Sequence, residues 1–447
     1  MAQYATQTEF PFVGIDHLRV TVPTGIAGAA DVTVTSQNGS ATLAKAFQYL
    51  PGVTDYPSTD KFTFALYDGT RHNVYLSAGS HVDVFSANTL QFLTPIVPPT
   101  VSGTFQLRGL ALTPDGSKLL IANFSDSSVA IVDPDNPSSS SVVKIPVTVA
   151  NAPGVNAVAA TSTGKVFVDG VSGTFSGCGA QLWELDLSTL NVTLRTDAAL
   201  TCLQSGGVQF STDSAGDVVF IASPDGGAYL WSASSDQFVG TKLVSDNGTA
   251  SGDGRWYASD YTFLDKQVIQ HNSAQVPEFF ASTFDISPSG AVIGEKMNAS
   301  GSLLYAPLLD GVDILDTNHG SWIGRILLTE QVLLVQNSMA FDEAGNRLFL
   351  ITNPGLTIVQ LGTTPLSIGY LNPASGPSAG GTSVTLRGSG FQSGITVTIG
   401  GIPVSASYVD SSTLTFSTPP GTTGGVQVKL QNPDGTTYTL DAAFVYQ

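Results

Sequence analysis

The sequence predicts an all-β chain of several domains, and three observations carry this. Gly (47) and Pro (24) are frequent, while Val, Thr and Ser recur throughout. No long run free of Gly and Pro carries a 3.6-residue apolar period, so the chain reads as many short strands joined by turns. Its 447 residues exceed one ordinary domain and suffice to bury a large core without metal or dense disulfides.

Composition also removes several function classes. Only 17 basic residues stand against 35 acidic ones, a formal charge of -18. A nucleic-acid binder needs a basic face to displace phosphate counterions, and an anionic membrane surface selects for the same, so neither partner is expected. No stretch approaches the ~18 apolar residues of a membrane span. Charged residues are just 12% of the chain, with Ser, Thr, Asn and Gly supplying the polar surface. That balance suits an extracellular or cell-surface protein. Residues 1–10 lack the basic start and apolar core of a secretion signal, so an exported protein would carry its signal upstream or have lost it.

The two ends of the chain resemble each other. Residues 1–50 contain Asp16-His17-Leu18-Arg19-Val20, then Pro23, Gly25, Gly28, Val32, Val34, Asn38, Gly39, Phe47 and Tyr49. Near the C-terminus, Ser412-Thr413-Leu414-Thr415-Phe416 is followed by Pro419, Gly421, Gly425, Val426, Val428, Asn432, Gly435, Phe444 and Tyr446. Both read as an alternating strand, a Pro-Gly turn, a second alternating strand, an Asn-Gly-type hairpin and a closing aromatic strand.

The C-terminal copy carries more in front of it. Asn372-Pro373, Gly376-Pro377, Gly380-Gly381-Thr382, Gly388, Gly390-Phe391 and Gly400-Gly401 precede its second half. Over residues 365–447 this pattern resembles the IPT/TIG family, which implies an immunoglobulin-like β-sandwich. Residues 1–50 match only the family's second half and form a partial IPT/TIG-like segment. Half a sandwich leaves apolar strands uncovered. Three readings stay open: a piece of a longer multidomain protein, a cover for the central domain, or a half completed by strands of another copy. The last would allow self-association into filaments.

Residues 51–364 carry a different repeat, every ~40 to 50 residues, which reads as the blades of a β-propeller. The clearest unit runs Leu110-Ala111-Leu112-Thr113-Pro114-Asp115-Gly116, then Leu119-Leu120-Ile121-Ala122-Asn123, Val129-Ala130-Ile131-Val132 and Val142-Val143-Lys144-Ile145. It gives four strands a, b, c and d, with a Pro-Asp-Gly turn between a and b. The unit resembles the YVTN-type repeat of bacterial surface propellers, with Ile121-Ala122-Asn123 in the place of the motif. Weaker copies bring the count to seven, the fifth being thin around Asp253-Gly254 and Trp256-Tyr257. The last blade lacks its own outer strand, so the stretch around residues 53–58, or the one after Gly362, is expected to close the ring.

In this grammar b–c hairpins and d–a links share one face. Cys178 falls in the long b–c loop of blade three and Cys202 in the link to blade four. Topology therefore sets both on the same side of neighbouring blades. A disulfide closing a ~25-residue loop would contribute roughly 3 kcal/mol in the chain-entropy model; two unpaired thiols are the alternative. Nothing basic flanks either one, so neither reads as a nucleophile. If a ligand surface exists it should lie on this face, at Ser125 and Asp126, at Thr174 and Phe175 in the glycine-rich insertion, and at Asp225. Surface loops without a ligand are the competing reading.

Catalytic chemistry leaves few traces. His17, His72, His81, His271 and His319 are scattered, and no HExxH pair exists, so no metal site is expected. The acidic groups at residues 133–136 and 313–316 lack EF-hand spacing and suit turns. Trp183, Trp231, Trp256 and Trp322 suit packing more than a sugar surface. Neither a CxxCH haem site nor a Gly-x-Ser-x-Gly elbow is present, and no cofactor is implied. The expected function is binding or adhesion to a protein or glycan, without catalysis. The alternatives are a propeller enzyme (lactonase, lyase or glycan hydrolase) and a filament subunit.

Overall fold

The computed structural model describes residues 4–5, 19–20, 28–37, 39–49, 52–148, 154–171, 180–197, 208–223, 227–242, 249–252, 254, 256–259, 262–265, 278–279, 294–319, 321–328, 330–335, 337–342, 345–361 and 364–447. Two compact units are present, Met1–Pro51 and Gly52–Gln447. In the first, Gly28–Ser36 and Gly39–Tyr49 pair as an antiparallel hairpin whose register joins Ser36 to Gly39. Val32, Val34 and Leu43 on it are exposed.

The second unit opens with seven four-stranded antiparallel sheets. Blades 1 to 6 each take four consecutive strands. Their inner strands are Ala65–Asp68, Leu107–Leu112, Gly154–Ala160, Gln209–Thr212, Thr249–Ala250 and Lys296–Met297. Blade 7 has Met339–Phe341, Arg347–Thr352 and Gly355–Gln360, and its fourth strand is Val53–Pro57 from the other end of the domain. The register runs from Gly355↔Pro57 to Val359↔Val53. Of the two stretches expected to close the ring, the earlier one does so. Inner strands neighbour one another from blade 1 to blade 6, Tyr305 of blade 6 stacks edge-on against Phe341 of blade 7, and blade 7 returns to blade 1. The core lies between blades: Phe85 of blade 1 packs with Phe349 and Ile358 of blade 7, and Phe167 of blade 3 with Trp231 and Phe238 of blade 4.

One turn device repeats around the ring. At the end of strand a, the carbonyl of Thr113, Thr161, Asp213, Ser251, Asn298 or Asp342 accepts from the amide of the glycine three residues on. Those glycines (Gly116, Gly164, Gly216, Gly254, Gly301 and Gly345) all have positive φ, which costs glycine nothing and an L side chain about 1–2 kcal/mol. The side chain of the first residue then caps strand b, as Asp213 Oδ1 does for the Val218 amide at 2.9 Å and Asn298 Oδ1 for the Leu303 amide at 3.1 Å. This turn, set by two residues three apart, explains why the blades are countable from sequence.

The device yields a graded expectation. A Cβ on Gly216 would lie 2.6 Å from Pro114 Cγ and 2.8 Å from the Ser162 amide nitrogen, whereas one on Gly164 would meet nothing within 4 Å. Gly164→Ala should cost only the backbone strain, about 1 kcal/mol, and Gly216→Ala at least about 2 kcal/mol. Urea denaturation of both variants checks the order; equal losses would refute the contact.

Residues 366–446 form two stacked antiparallel-dominated sheets. Ser367–Asn372, Ser383–Ser389, Thr413–Ser417 and Ala406–Asp410 make one; Ser375–Gly376, Thr437–Tyr446, Gly424–Gln431, Thr396–Ile399 and Ile402–Val404 make the other. Their inner faces bury Leu386, Val397, Leu414, Val428 and Phe444. Alternation along the strands puts these residues on one face.

This sandwich docks on blade 6. Tyr438 donates to Asp316 Oδ1 at 3.0 Å, and Asn318 Nδ2 donates to the Ile368 carbonyl at 2.5 Å. Gly369 lies against Ser300, where a Cβ would approach the Ser300 carbonyl to 2.4 Å. Asp316 ends strand c, Asn318 sits in the c–d turn and Ser300 in the a–b turn. The sandwich therefore covers the a–b side of the propeller, opposite the b–c hairpins.

Candidate functional site

Seven short inner strands enclose an axial channel of about 1430 Å³. Its walls are mixed. Leu66, Ala111, Ala159, Phe64 and Phe210 supply apolar and aromatic surface. At the a–b end the lining includes Asp68, Asp213 and Asp342, together with Tyr370 and Arg387 of the sandwich. Those carboxylates are committed to the turns. Asp68 accepts from the Thr70 and Arg71 amides and from the Arg71 guanidinium, and Asp342 from the Asn346 and Arg347 amides and the Arg347 guanidinium.

Toward the b–c end the lining turns basic and amide-rich, with Lys61, Gln106, Arg108, Asn156, Gln209, Lys296 and Asn337. Arg108 Nη1 donates to Asn156 Oδ1 at 2.8 Å, and its guanidinium lies 3.8 Å over the Phe124 ring. Lys296 starts deeper, on the inner strand of blade 6, and its Nζ reaches Asn337 Oδ1 at 3.3 Å. Burial lowers the pKa of both cations. Behind Arg108, Asp169 of blade 3 is fully buried and accepts from the Val208 amide at 2.8 Å. Burial pushes its carboxyl up to about 7, against the pull of the Val208 amide, Asn156 and Arg108.

The loop residues chosen from sequence fare unevenly. Asp126 is buried, and its carboxylate accepts from the Val101 amide at 2.5 Å, the Ser102 amide at 2.9 Å, and the Ser102 and Ser128 hydroxyls. It organises the link between blades 1 and 2. Ser125, beside it, hydrogen-bonds Asn123 at 3.3 Å. Thr174, Phe175, Cys178, Cys202 and Asp225 lie outside the described residues.

Other sequence candidates take structural places. Trp231 is fully buried with Nε1 donating to Asp236, and Trp183 is nearly so. Asp135 pairs with Arg71, and Asp313 forms a two-bonded ion pair with Arg325. Asp60, His81 and Asp83 were not grouped from sequence. They bring donor atoms within 4.8 Å of one another, the one such set among the described residues that could hold a metal ion.

Sequence reasoning missed the axial cations because it read the inner strands as apolar. Arg108 precedes the apolar run at 110–112, and Lys296 sits on a two-residue strand too short to alternate. Neither leaves a local signal.

Comparison with known proteins agrees with the architecture. Residues 366–446 match the IPT/TIG domain family. Over 82 residues the chain is 33% identical to Fibrocystin-L of Mus musculus and 35% identical to Fibrocystin-L of Homo sapiens. That stretch is 18% of this chain and 2% of each of those proteins. Among solved structures, the β-propeller domain of Cps50 (Swd1) from Myceliophteria thermophila superposes with a TM-score of 0.50 at 11% identity, covering 70% of this chain and 99% of that one. At that identity the likeness concerns fold alone. The chain is thus a β-propeller protein whose residues 366–446 form an IPT/TIG domain of immunoglobulin-like fold.

Proposed function

We propose that this protein is a non-catalytic binding or adhesion module of the extracellular space or cell surface, of the YVTN-type bacterial propeller kind, that recognises a protein or glycan. One observation carries the reading: the IPT/TIG domain occupies the a–b side of the propeller through Tyr438, Asp316 and Asn318. The partner is met on the opposite side, at the b–c hairpins. The IPT/TIG domain then acts as a spacer fixed to the back of the binding module. An acidic surface with few charged residues fits a partner met outside the cell.

The channel supports an enzyme reading less well. Lys61, Arg108 and Lys296 line its b–c end, yet no carboxylate or histidine lines that level among the described residues. General acid–base work needs a proton acceptor within reach of the substrate. The exposed Val32, Val34 and Leu43 of the N-terminal hairpin favour, as a third reading, a filament subunit completed by another copy.

The test is to apply the labelled full chain to glycan and extracellular-protein arrays. Saturable retention of one ligand class, without turnover of lactone or glycoside panels, is expected. Turnover of any of those substrates, with no retention on either array, would overturn the proposal.

A further inference from the structure

We propose that the axial channel is a binding site for a small oxyanion, a carboxylated sugar or a phosphate group, held by Arg108 of blade 2 and Lys296 of blade 6. The site is separate from the b–c loop face and does not depend on its partner.

The case begins with charge placement. The chain carries more than twice as many acids as bases. Among the described residues Arg71, Lys118, Lys165, Arg195, Arg325 and Arg347 are each paired with at least one carboxylate. Arg108 and Lys296 are not: each meets a neutral side-chain amide oxygen, from Asn156 and Asn337, and no described carboxylate forms an ion pair with either. Lys61 and Arg387, the other cations lining the channel, are exposed, so Arg108 and Lys296 are the two lining cations that burial affects without an ion pair among the described residues. Lys296 is taken out of water with no described carboxylate acting on it, and Arg108 with the buried Asp169 alone behind it, so an anion entering the channel offsets a desolvation cost already present.

Geometry points the same way. Arg108 spends one N–H on Asn156 while its ring contact with Phe124 fixes the guanidinium plane. Its Nε and Nη2 donate to no described residue, which leaves a planar pair of donors suited to a carboxylate or phosphate edge. Lys296 adds a point charge. Amides of Gln106 and Asn156 line the same end, and Phe64 and Phe210 provide faces for an apolar or sugar-ring body. The carboxylates that line the channel lie at its other end, held by their turns. An anion therefore meets cations at one end and no free carboxylate among the described residues.

Asp169 tunes the site. Its carboxyl lies behind Arg108 and attracts it, so its negative charge competes with an incoming anion. The other charged group lining this end is Lys61, which is exposed at residue 61.

The experiment is isothermal titration calorimetry of the full chain at low salt with three probes: sodium D-glucuronate, inorganic phosphate and D-glucose. One of the two anions is expected to bind and glucose is not; which anion binds assigns the ligand to a carboxylate or a phosphate. Arg108→Gln and Lys296→Gln, each checked for a native melting transition, should each weaken binding at least tenfold, whereas Asp169→Asn should tighten it at pH 8. Arg108→Gln removes a strut between blades 2 and 3, so if it does not fold, Lys296→Gln in blade 6 decides alone. Absence of heat with both anions, equal affinity for glucose, or unchanged affinity in every folded variant would overturn the assignment.

Discussion

A chain begun at Thr59 should melt about 10 °C or more below one begun at Gly52. The difference is the strand Val53–Pro57, which closes blade 7 by pairing with Gly355–Gln360. Without it the Gly355–Gln360 strand becomes an open edge, and edges are where sheets fray or recruit other chains. Tyr56 also leaves its place 4.8 Å from Phe85, so the seam between blades 7 and 1 loses an aromatic contact. Net backbone hydrogen bonds at about 1 kcal/mol each, plus that side chain, sum to roughly 5 kcal/mol or more. At about 2 °C per kcal/mol in a large domain this gives the stated shift. Thermal unfolding followed by circular dichroism reads it, with light scattering to register association through the new edge. Equal melting temperatures would mean that the ring holds without its closing strand.

Asp169→Asn should stabilise the protein at pH 8 and lose that advantage at pH 5. The Asp169 carboxyl, buried, titrates near 7 rather than near 3.8. Between those values the native state keeps a proton that the unfolded chain has released. Stability therefore falls as pH rises from about 4 to 7 and levels off above. Asparagine keeps an oxygen for the Val208 amide and removes the charge, so the slope disappears. At about 1.4 kcal/mol per unit of displacement, the difference between variant and parent should grow by roughly 3 kcal/mol from pH 5 to pH 8. Urea denaturation at the two pH values measures it. A difference that does not change with pH would show that Asp169 titrates as an ordinary surface carboxylate.

The two expectations differ in how far sequence foreshadows them. The need for a closing strand follows from counting, since the last blade has three strands before residue 364, and the structure chose the stretch at 53–58 over the one after Gly362. Asp169 gives no such hint. It lies within the apolar strand Lys165–Val171, and its burial depends on blades 2 and 4 packing on either side. Asp126 marks the opposite case, a loop carboxylate whose position suggested a ligand contact and whose hydrogen bonds go to the chain's own Val101 and Ser102. Sequence places a loop on a face but does not say what its side chains meet there.

By itself the sequence determined the all-β class, the blade repeat and the C-terminal IPT/TIG pattern. Each is written within a few residues, in two-residue alternation and in glycines that turns require, such as Gly116 and Gly345. Only the tertiary structure decided that Arg108, Asn156, Lys296 and Asn337 share one channel, and that Tyr438 reaches Asp316 across 122 residues of chain. Such meetings depend on ring closure and domain docking. Both are set by the summed packing of many blades, and no single segment carries a record of them.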